Sequence, residues 1–249
     1  MKILILCAGI GSRLGKLTED NPKCLVKINS ESILERLLNQ LSKFGLNEKD
    51  IYFCGGYKYE KLPSQYLSFI NHDYLITNML KTTIIGLEGL VDILDSKQNI
   101  LIIYGDCIYS DKFISEIISK TDFVEQISIP VDLDWERKWS RRYDNIYEDA
   151  ETLEYNLTNN ELISIGKKTF IKKEYMAQFM GIYVIPHYLI RNFISEFNLI
   201  SPYIQNKIST TEFFQISNGK LKYYVLQVNN SWTEVDTVKD LIYAKENFL

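Results

Sequence analysis

Short apolar runs of strand length alternate along the chain with segments whose apolar residues recur every three or four positions. That alternation is the mark of an open α/β sheet with helices packed on it. The first run, Lys2 to Cys7, predicts a strand. After a loop, Ser32-x-x-Glu35 has the form of a capping box, and Ile33, Leu34, Leu37, Leu38, Leu41 and Phe44 fall on one helical face that ends at Gly45. Ile51 to Cys54, closed by Gly55-Gly56, predicts the next strand and completes a βαβ unit. Asn78 to Leu90 predicts a second helix, and Asn99 to Tyr104 a strand apolar enough to be buried on both faces. Further strands are expected near residues 126–131, 161–165, 180–185 and 221–228, and a closing helix over 238–248 with Thr237 as its N-cap. No repeat or low-complexity linker interrupts this order. It predicts one domain over residues 1–249, with about 128–180 as a less regular, β-rich subregion projecting over the sheet edge.

Composition adds exclusions. The 249 residues are 46% hydrophobic and 24% charged, enough for a sizeable core, and the net charge of -4 argues against wholesale binding of nucleic acid, which usually needs a basic face. No apolar stretch is long enough to span a bilayer, so no membrane partner is expected, and the opening run is too short for a signal segment. Cys7, Cys24, Cys54 and Cys107 stand far apart without a C-x-x-C pair, which suggests neither a zinc site nor a disulfide framework, and three of them sit in or beside apolar strand-like runs that suit a buried reduced thiol. The expectation is a cytoplasmic enzyme.

The richest chemistry follows the first strand. In Leu6-Cys7-Ala8-Gly9-Ile10-Gly11-Ser12-Arg13-Leu14 the glycines let backbone amides approach an anion, while Arg13 and Lys23 of Asn21-Pro22-Lys23-Cys24-Leu25 supply positive charge. A bare G-x-G suits a dinucleotide fold or a mere tight turn equally well. Against the dinucleotide reading, Leu14 stands where its third glycine belongs, and the pattern predicts no helix before about Ser32. A Walker lysine is absent.

The combined pattern Ala8-Gly9-x-Gly11-Ser12-Arg13-Leu14 with Pro22-Lys23-x-Leu25 resembles the signature of the nucleotidyltransferases that make sugar nucleotides and CDP-alcohols. The resemblance implies an α/β fold with a Rossmann-like mixed β-sheet flanked by helices. It implies that Leu6, Ala8, Gly9, Ile10, Gly11, Ser12 and Arg13, with Gly56 at the end of the second strand, surround the base and triphosphate. Lys23 would contact phosphate. The family also carries a metal-binding aspartate where Asp106 follows the buried strand, and a second in a W-x-x-x-D segment that here is Trp232 to Asp236. Mg2+ held by Asp106 and Asp236 is therefore the expected cofactor, a hard cation suited to carboxylates and phosphate oxygens. Each aspartate has a plainer reading: Asp106 also suits a turn, and Asp236-Thr237 also suits the cap of the last helix.

Asn71-His72-x-Tyr74-x-x-Thr77-Asn78 resembles a segment of cytidylyltransferases that activate phosphocholine or aminoethylphosphonate, implying CTP as the nucleotide and Thr77 and Asn78 as contacts to it. Either residue could instead cap the following helix. Asp132-x-Asp134-Trp135-x-x-x-Trp139-x-x-Arg142, Asp149-Ala150-Glu151 and Gly166-Lys167-Lys168 are similar to the same branch. They imply Trp135, Arg142, Glu151 and Lys168 around a small phosphorylated, zwitterionic acceptor, with Lys168 joining Lys23 and Arg13 in catalysis. The plainer reading of Trp135 and Trp139 is core packing at helical spacing. Within this branch phosphoglutamine, giving CDP-glutamine for capsule phosphoramidate, is the acceptor of first choice, with phosphocholine and 2-aminoethylphosphonate as alternatives; a homodimer is compatible with the family. A dehydrogenase would need an acidic residue ending the second strand, where Cys54-Gly55-Gly56 stands. A non-catalytic nucleotide-binding regulator would not need Lys23, Asp106 and Asp236, all of which are present.

Overall fold

The computed structural model describes residues 1–94, 98–122, 124–147, 150–167, 171–228 and 232–248. Its main elements, in chain order, are β1 (Lys2–Cys7), α1 (Ile33–Ser42), β2 (Ile51–Gly55), β3 (Leu67–Ile70), α2 (Met79–Leu90), β4 (Ile100–Tyr104), β5 (Cys107–Tyr109), α3 (Asp111–Thr121), β6 (Ile127–Asp132), α4 (Trp135–Arg142), β7 (Leu153–Tyr155), β8 (Leu162–Ile165), β9 (Gln178–Phe179), β10 (Ile182–Ile185), α5 (Ile190–Asn198), α6 (Thr210–Ser217), β11 (Tyr223–Val228), β12 (Trp232–Glu234) and α7 (Val238–Asn247); a two-residue hairpin (Lys27–Ile28 with Glu31–Ser32), a short helix (Pro202–Gln205) and 3-10 turns complete them.

Eight strands form one mixed sheet in the order β9-β6-β10-β4-β1-β2-β3, with β11 added beside β6. Pairing is parallel from β4 through β1 and β2 to β3, and antiparallel where β10 joins β4. The two central strands, β1 and β4, are continuous apolar runs because both sheet faces are covered. The period-two alternation of a strand sorts β1 cleanly: Leu4 and Leu6 enter a cluster with α2, α5 and α6, while Ile3 and Ile5 enter another with α1, α3 and α4. A third, smaller cluster seats α7 against Leu14, Val26 and Ile28, behind the glycine-rich loop.

The capping box forecast at Ser32 forms in full. The Glu35 amide donates to Ser32 Oγ at 3.1 Å and the Ser32 amide to Glu35 Oε2 at 2.7 Å. Ser32→Ala is expected to lower stability by about 1 kcal/mol without altering activity, read as a shift in the denaturant midpoint at unchanged slope.

Three expectations change. A 3-10 helix, Ser12–Thr18, starts directly after the glycine-rich loop rather than at Ser32, because Gly11 adopts a left-handed conformation (φ 70°) and accepts the Leu14 amide at 2.8 Å. Within the subregion expected over 128–180, β6 and β9 belong to the main sheet. What leaves the sheet is α4 and the two-stranded β7–β8 ladder. Finally β3, β5, α3, β7, β9, α5, α6 and β12 are additional elements; α3 is started by Ser110, whose Oγ accepts the Phe113 amide at 3.2 Å. Among the described residues no helix is long and apolar enough to cross a membrane.

Candidate functional site

Four segments distant in sequence meet at the carboxyl end of β1 and β4, where open α/β sheets bind ligands. Gly105 ends β4 and donates its amide to the Leu6 carbonyl at 2.9 Å. A Cβ there would stand 2.8 Å from that oxygen, so only glycine lets the chain turn this close to β1 before presenting Asp106. The antiparallel ladder of β5 with β12 sets Cys107 opposite Glu234, and the Val235 amide donates to the Asp106 carbonyl at 3.0 Å. This ladder brings Asp236 to Asp106 across 130 residues of chain.

Asp236 is fixed from the other side by the start of α7. Thr237 Oγ1 accepts the Asp240 amide at 3.2 Å, while Asp240 Oδ2 accepts the amides of Thr237 at 2.9 Å and Asp236 at 3.2 Å. Thr237 therefore caps the helix as forecast, and the Asp236 carboxylate is directed elsewhere. Lys23 enters between the two aspartates: its Nζ lies 2.7 Å from Asp106 Oδ2 and 2.5 Å from Asp236 Oδ1. Arg13 reaches Asp236 Oδ2 at 3.1 Å from a more exposed position. Burial by itself would push the Lys23 ammonium down, but the carboxylates of Asp106 and Asp236 outweigh it and hold it above the ordinary lysine range. It is charged throughout the neutral range.

The loop that carries these cations is shaped by Gly11, where an added Cβ would stand 2.9 Å from Lys23 Cγ and 3.1 Å from Thr18 Cγ2. At Gly9 an added Cβ would meet nothing within 4 Å, so that stretch of backbone faces open space. Gly56 has a packing reason: a Cβ would stand 2.8 Å from Tyr74 Cβ and 2.9 Å from Ala8 Cβ, so its absence lets the turn at residues 71–78 close on the loop. Buried Asn71 organises that turn, donating to Thr77 Oγ1 and Thr82 Oγ1 at 3.0 Å and accepting the Asp73 amide at 3.1 Å. Thr77 donates to the Asp73 carbonyl at 2.8 Å, and Asn78 donates to the Lys207 carbonyl; neither side chain caps α2. Leu6, Ala8, Ile10 and Ser12 line the same loop, with Leu6 and Ala8 buried and Ser12 exposed.

A crevice bounded by Leu6, Cys7, Gly9, Lys23, Met79 and Asp106 shares Met79 with a cavity of about 320 Å³. Glu151 lines that cavity, together with Tyr104 and Phe179. Trp135, expected beside the acceptor, is placed instead in the core, 1% exposed, stacked edge-on with Trp139 and near Tyr147 and Tyr175. Its spacing with Trp139 reflects packing of α4, the plainer of the two readings. Trp139 in turn packs on Trp232, whose Nε1 donates to buried Asp132 Oδ2 at 2.7 Å; Lys138 also pairs with Asp132. The tryptophans thus support β12, and through it Asp236, rather than a ligand surface. Lys168 and Asp149 lie outside the described residues, as does the Arg142 side chain.

Ser209, Thr210 and Thr211, which line the cavity along with Glu151, were not singled out as site residues by sequence; their one local signal is Ser209-x-x-Glu212, the form of a capping box, and they reach the site through tertiary contacts. All four cysteines are buried free thiols, as forecast for three of them. A hydrogen bond with Cys24 and burial push Cys7 up, and burial pushes Cys54 up to about 12, so neither is a thiolate at neutral pH.

Two carboxylates converging on one cation are the donor set expected for a magnesium ion completed by phosphate oxygens and water, so the residues present fit such an ion. Among the described residues no group of three or more histidine, cysteine or carboxylate side chains is gathered for a metal.

Comparison with known proteins follows the same lines. Residues 3–136 match the MobA-like NTP transferase domain. A CTP:phosphoglutamine cytidylyltransferase of Campylobacter jejuni subsp. jejuni serotype O:2 is 32% identical over 97% of this chain and 98% of its own. Among solved structures, a CTP:phosphocholine cytidylyltransferase from Streptococcus pneumoniae superposes with a TM-score of 0.70 at 19% identity, covering 98% of this chain and 97% of that one. The inositol-1-phosphate CTP transferase from T. maritima gives 0.69 at 18% identity, covering 99% and 96%. The two structural likenesses establish the fold, a mixed sheet flanked by helices.

Proposed function

Because the chain belongs to the MobA-like NTP transferase family, we propose that it is a cytidylyltransferase that moves CMP from CTP to a small phosphorylated zwitterionic acceptor, phosphoglutamine first, releasing pyrophosphate. The observation that carries this reading is the convergence of Lys23, Asp106 and Asp236 beside a glycine-rich loop, in a chain similar along nearly its whole length to a CTP:phosphoglutamine cytidylyltransferase.

In the reaction an oxygen of the acceptor phosphate forms a bond to the α-phosphorus of CTP while the bond from that phosphorus to the bridging oxygen of the β-phosphate breaks. Pyrophosphate leaves in line with the incoming oxygen. The nucleophile is already ionised, so no general base is required, and the work of the protein is alignment and charge neutralisation. Leu6, Ala8, Gly9, Ile10, Gly11 and Ser12 form the nucleotide side of the site, with Thr77 in the adjoining turn held shut against it through Gly56. Lys23 and Arg13 offset the repulsion between two polyanions, a role proposed for Lys168 as well. Glu151 faces the ammonium of the acceptor, and Arg142 its anionic group. Asp106 and Asp236 would hold Mg2+, which when bound polarises the α-phosphate and neutralises charge developing on it.

The test is pyrophosphate release with Mg2+ and each of CTP, UTP, ATP and GTP, against phosphoglutamine, phosphocholine and 2-aminoethylphosphonate. Release with CTP and phosphoglutamine is expected, and chelation with EDTA should abolish it. Silence with CTP across all three acceptors, from folded protein, would overturn the reading.

A further inference from the structure

The cavity of about 320 Å³ that shares Met79 with the crevice at Asp106 is lined by Asn78, Met79, Tyr104, Glu151, Phe179 and the run Ser209-Thr210-Thr211, a size suited to a small ligand. Its hydroxyl wall, Ser209 to Thr211, is the first turn of α6, and the rest of the site holds it in place by specific bonds. Tyr104, two residues before Asp106, shares a hydrogen bond of 2.7 Å between its hydroxyl and Thr210 Oγ1. The Asn78 carboxamide donates to the Lys207 carbonyl just ahead of the turn. Gly166, at φ 75°, lets the β8 end press on Thr211, where an added Cβ would stand 3.1 Å from Oγ1. The Ser209 cap is closed by Glu212 in a reciprocal box, the Glu212 amide to Ser209 Oγ at 3.2 Å and the Ser209 amide to Glu212 Oε2 at 2.7 Å. Thr210 and Thr211 are each 4% exposed, so their hydroxyls are turned inward.

Resting on the acceptor reading above, we propose that Ser209, Thr210 and Thr211 select the acceptor by hydrogen bonding to its organic part, with Tyr104 and Asn78 as positioning residues that set the wall from the catalytic side. A hydroxyl both donates and accepts, so this wall fits an acceptor bearing an amide or an amino-acid group. A quaternary ammonium has no N–H to offer these hydroxyls, so it would gain nothing from the wall beyond the bonds its members already make, Thr210 with Tyr104 and Ser209 Oγ with Thr211 Oγ1 at 3.2 Å. Asn78 acts here through Lys207 and the wall, which differs from a base contact in what its loss should do.

The experiment compares the full chain with Thr210→Val, Thr210→Ser, Tyr104→Phe and Asn78→Ala. Acceptor and CTP KM values come from pyrophosphate release, and phosphoglutamine and phosphocholine binding from titration calorimetry, which needs no turnover. Wild type is expected to prefer phosphoglutamine. Thr210→Val and Tyr104→Phe should each raise its KM and its Kd about tenfold, the effect of one well-made hydrogen bond, with CTP KM held within about twofold. Thr210→Ser should restore the wild-type values. Asn78→Ala should raise acceptor KM rather than CTP KM. The proposal is overturned if Thr210→Val leaves acceptor binding unchanged, if acceptor and CTP KM rise together, if Asn78→Ala acts on CTP alone, or if neither acceptor gives heat. Wild type that binds phosphoglutamine through this wall yet releases no pyrophosphate would defeat the cytidylyltransferase reading and leave the wall standing.

Discussion

Asp106→Ala will fold normally and lose turnover by on the order of 10³-fold. The fold should survive because the turn that presents Asp106 is held by backbone, Gly105 to Leu6 and Val235 to Asp106, and not by the carboxylate. The charge balance of the site is what changes. Lys23 and Arg13 stand against Asp106 and Asp236, so removing Asp106 leaves excess positive charge where a triphosphate is to bind. CTP KM is therefore expected to hold steady or fall while kcat collapses, the pattern of an interaction made in the transition state. Lys23→Ala shifts the balance the other way: two carboxylates then face the triphosphate without the buried ammonium, and CTP KM should rise along with the loss in kcat. Initial rates at saturating Mg2+, with thermal unfolding of each variant as the control, separate the two. Unchanged magnesium-dependent turnover in Asp106→Ala would remove this carboxylate from the chemistry.

How far these residues were legible in the sequence depended on how local their cause is. The strand ends, the Ser32 and Thr237 caps and the glycine-rich loop are set by neighbours within a few positions, and each stands where the pattern places it. Lys23 and Asp106 were legible because each sits at a punctuation mark, a proline before one and a glycine before the other. The pairing of Asp106 with Asp236 was legible only through the resemblance: it depends on the β5–β12 ladder, two strands of three residues whose register no periodicity reveals. The tryptophans show the opposite failure. The resemblance implied Trp135 beside the acceptor while the helical spacing implied packing, and packing prevailed: Trp232 bonds to Asp132 a hundred positions away and the pair on α4 closes over it, which buries them. Thr210 illustrates what pattern omits altogether. Only the Ser209-x-x-Glu212 cap marks its surroundings, and the role proposed for it rests on one hydroxyl of Tyr104 that chain order does not bring near.

The two glycines of the loop should respond in opposite ways to the same added methyl. Gly11→Ala places a side chain in the left-handed region at φ 70°, costing about 1–2 kcal/mol, and drives its Cβ to 2.9 Å from Lys23 Cγ, so the lysine stem must give way. Stability should drop by that amount, and kcat/KM for CTP by about 10²-fold, since an ångström of misplacement at a charged positioning group is enough for such a loss. Gly9→Ala meets no protein atom within 4 Å and has no left-handed strain to incur, so its unfolding midpoint should match wild type within about 0.5 kcal/mol. If nucleotide lies over this stretch of backbone, the methyl occupies its place, and CTP KM should rise roughly tenfold with acceptor KM unchanged. A Gly9→Ala protein with wild-type CTP KM would mean that nucleotide passes elsewhere. A Gly11→Ala protein that is destabilised but fully active would mean that Lys23 can take its place from more than one loop conformation, and that Gly11 serves the fold rather than the site.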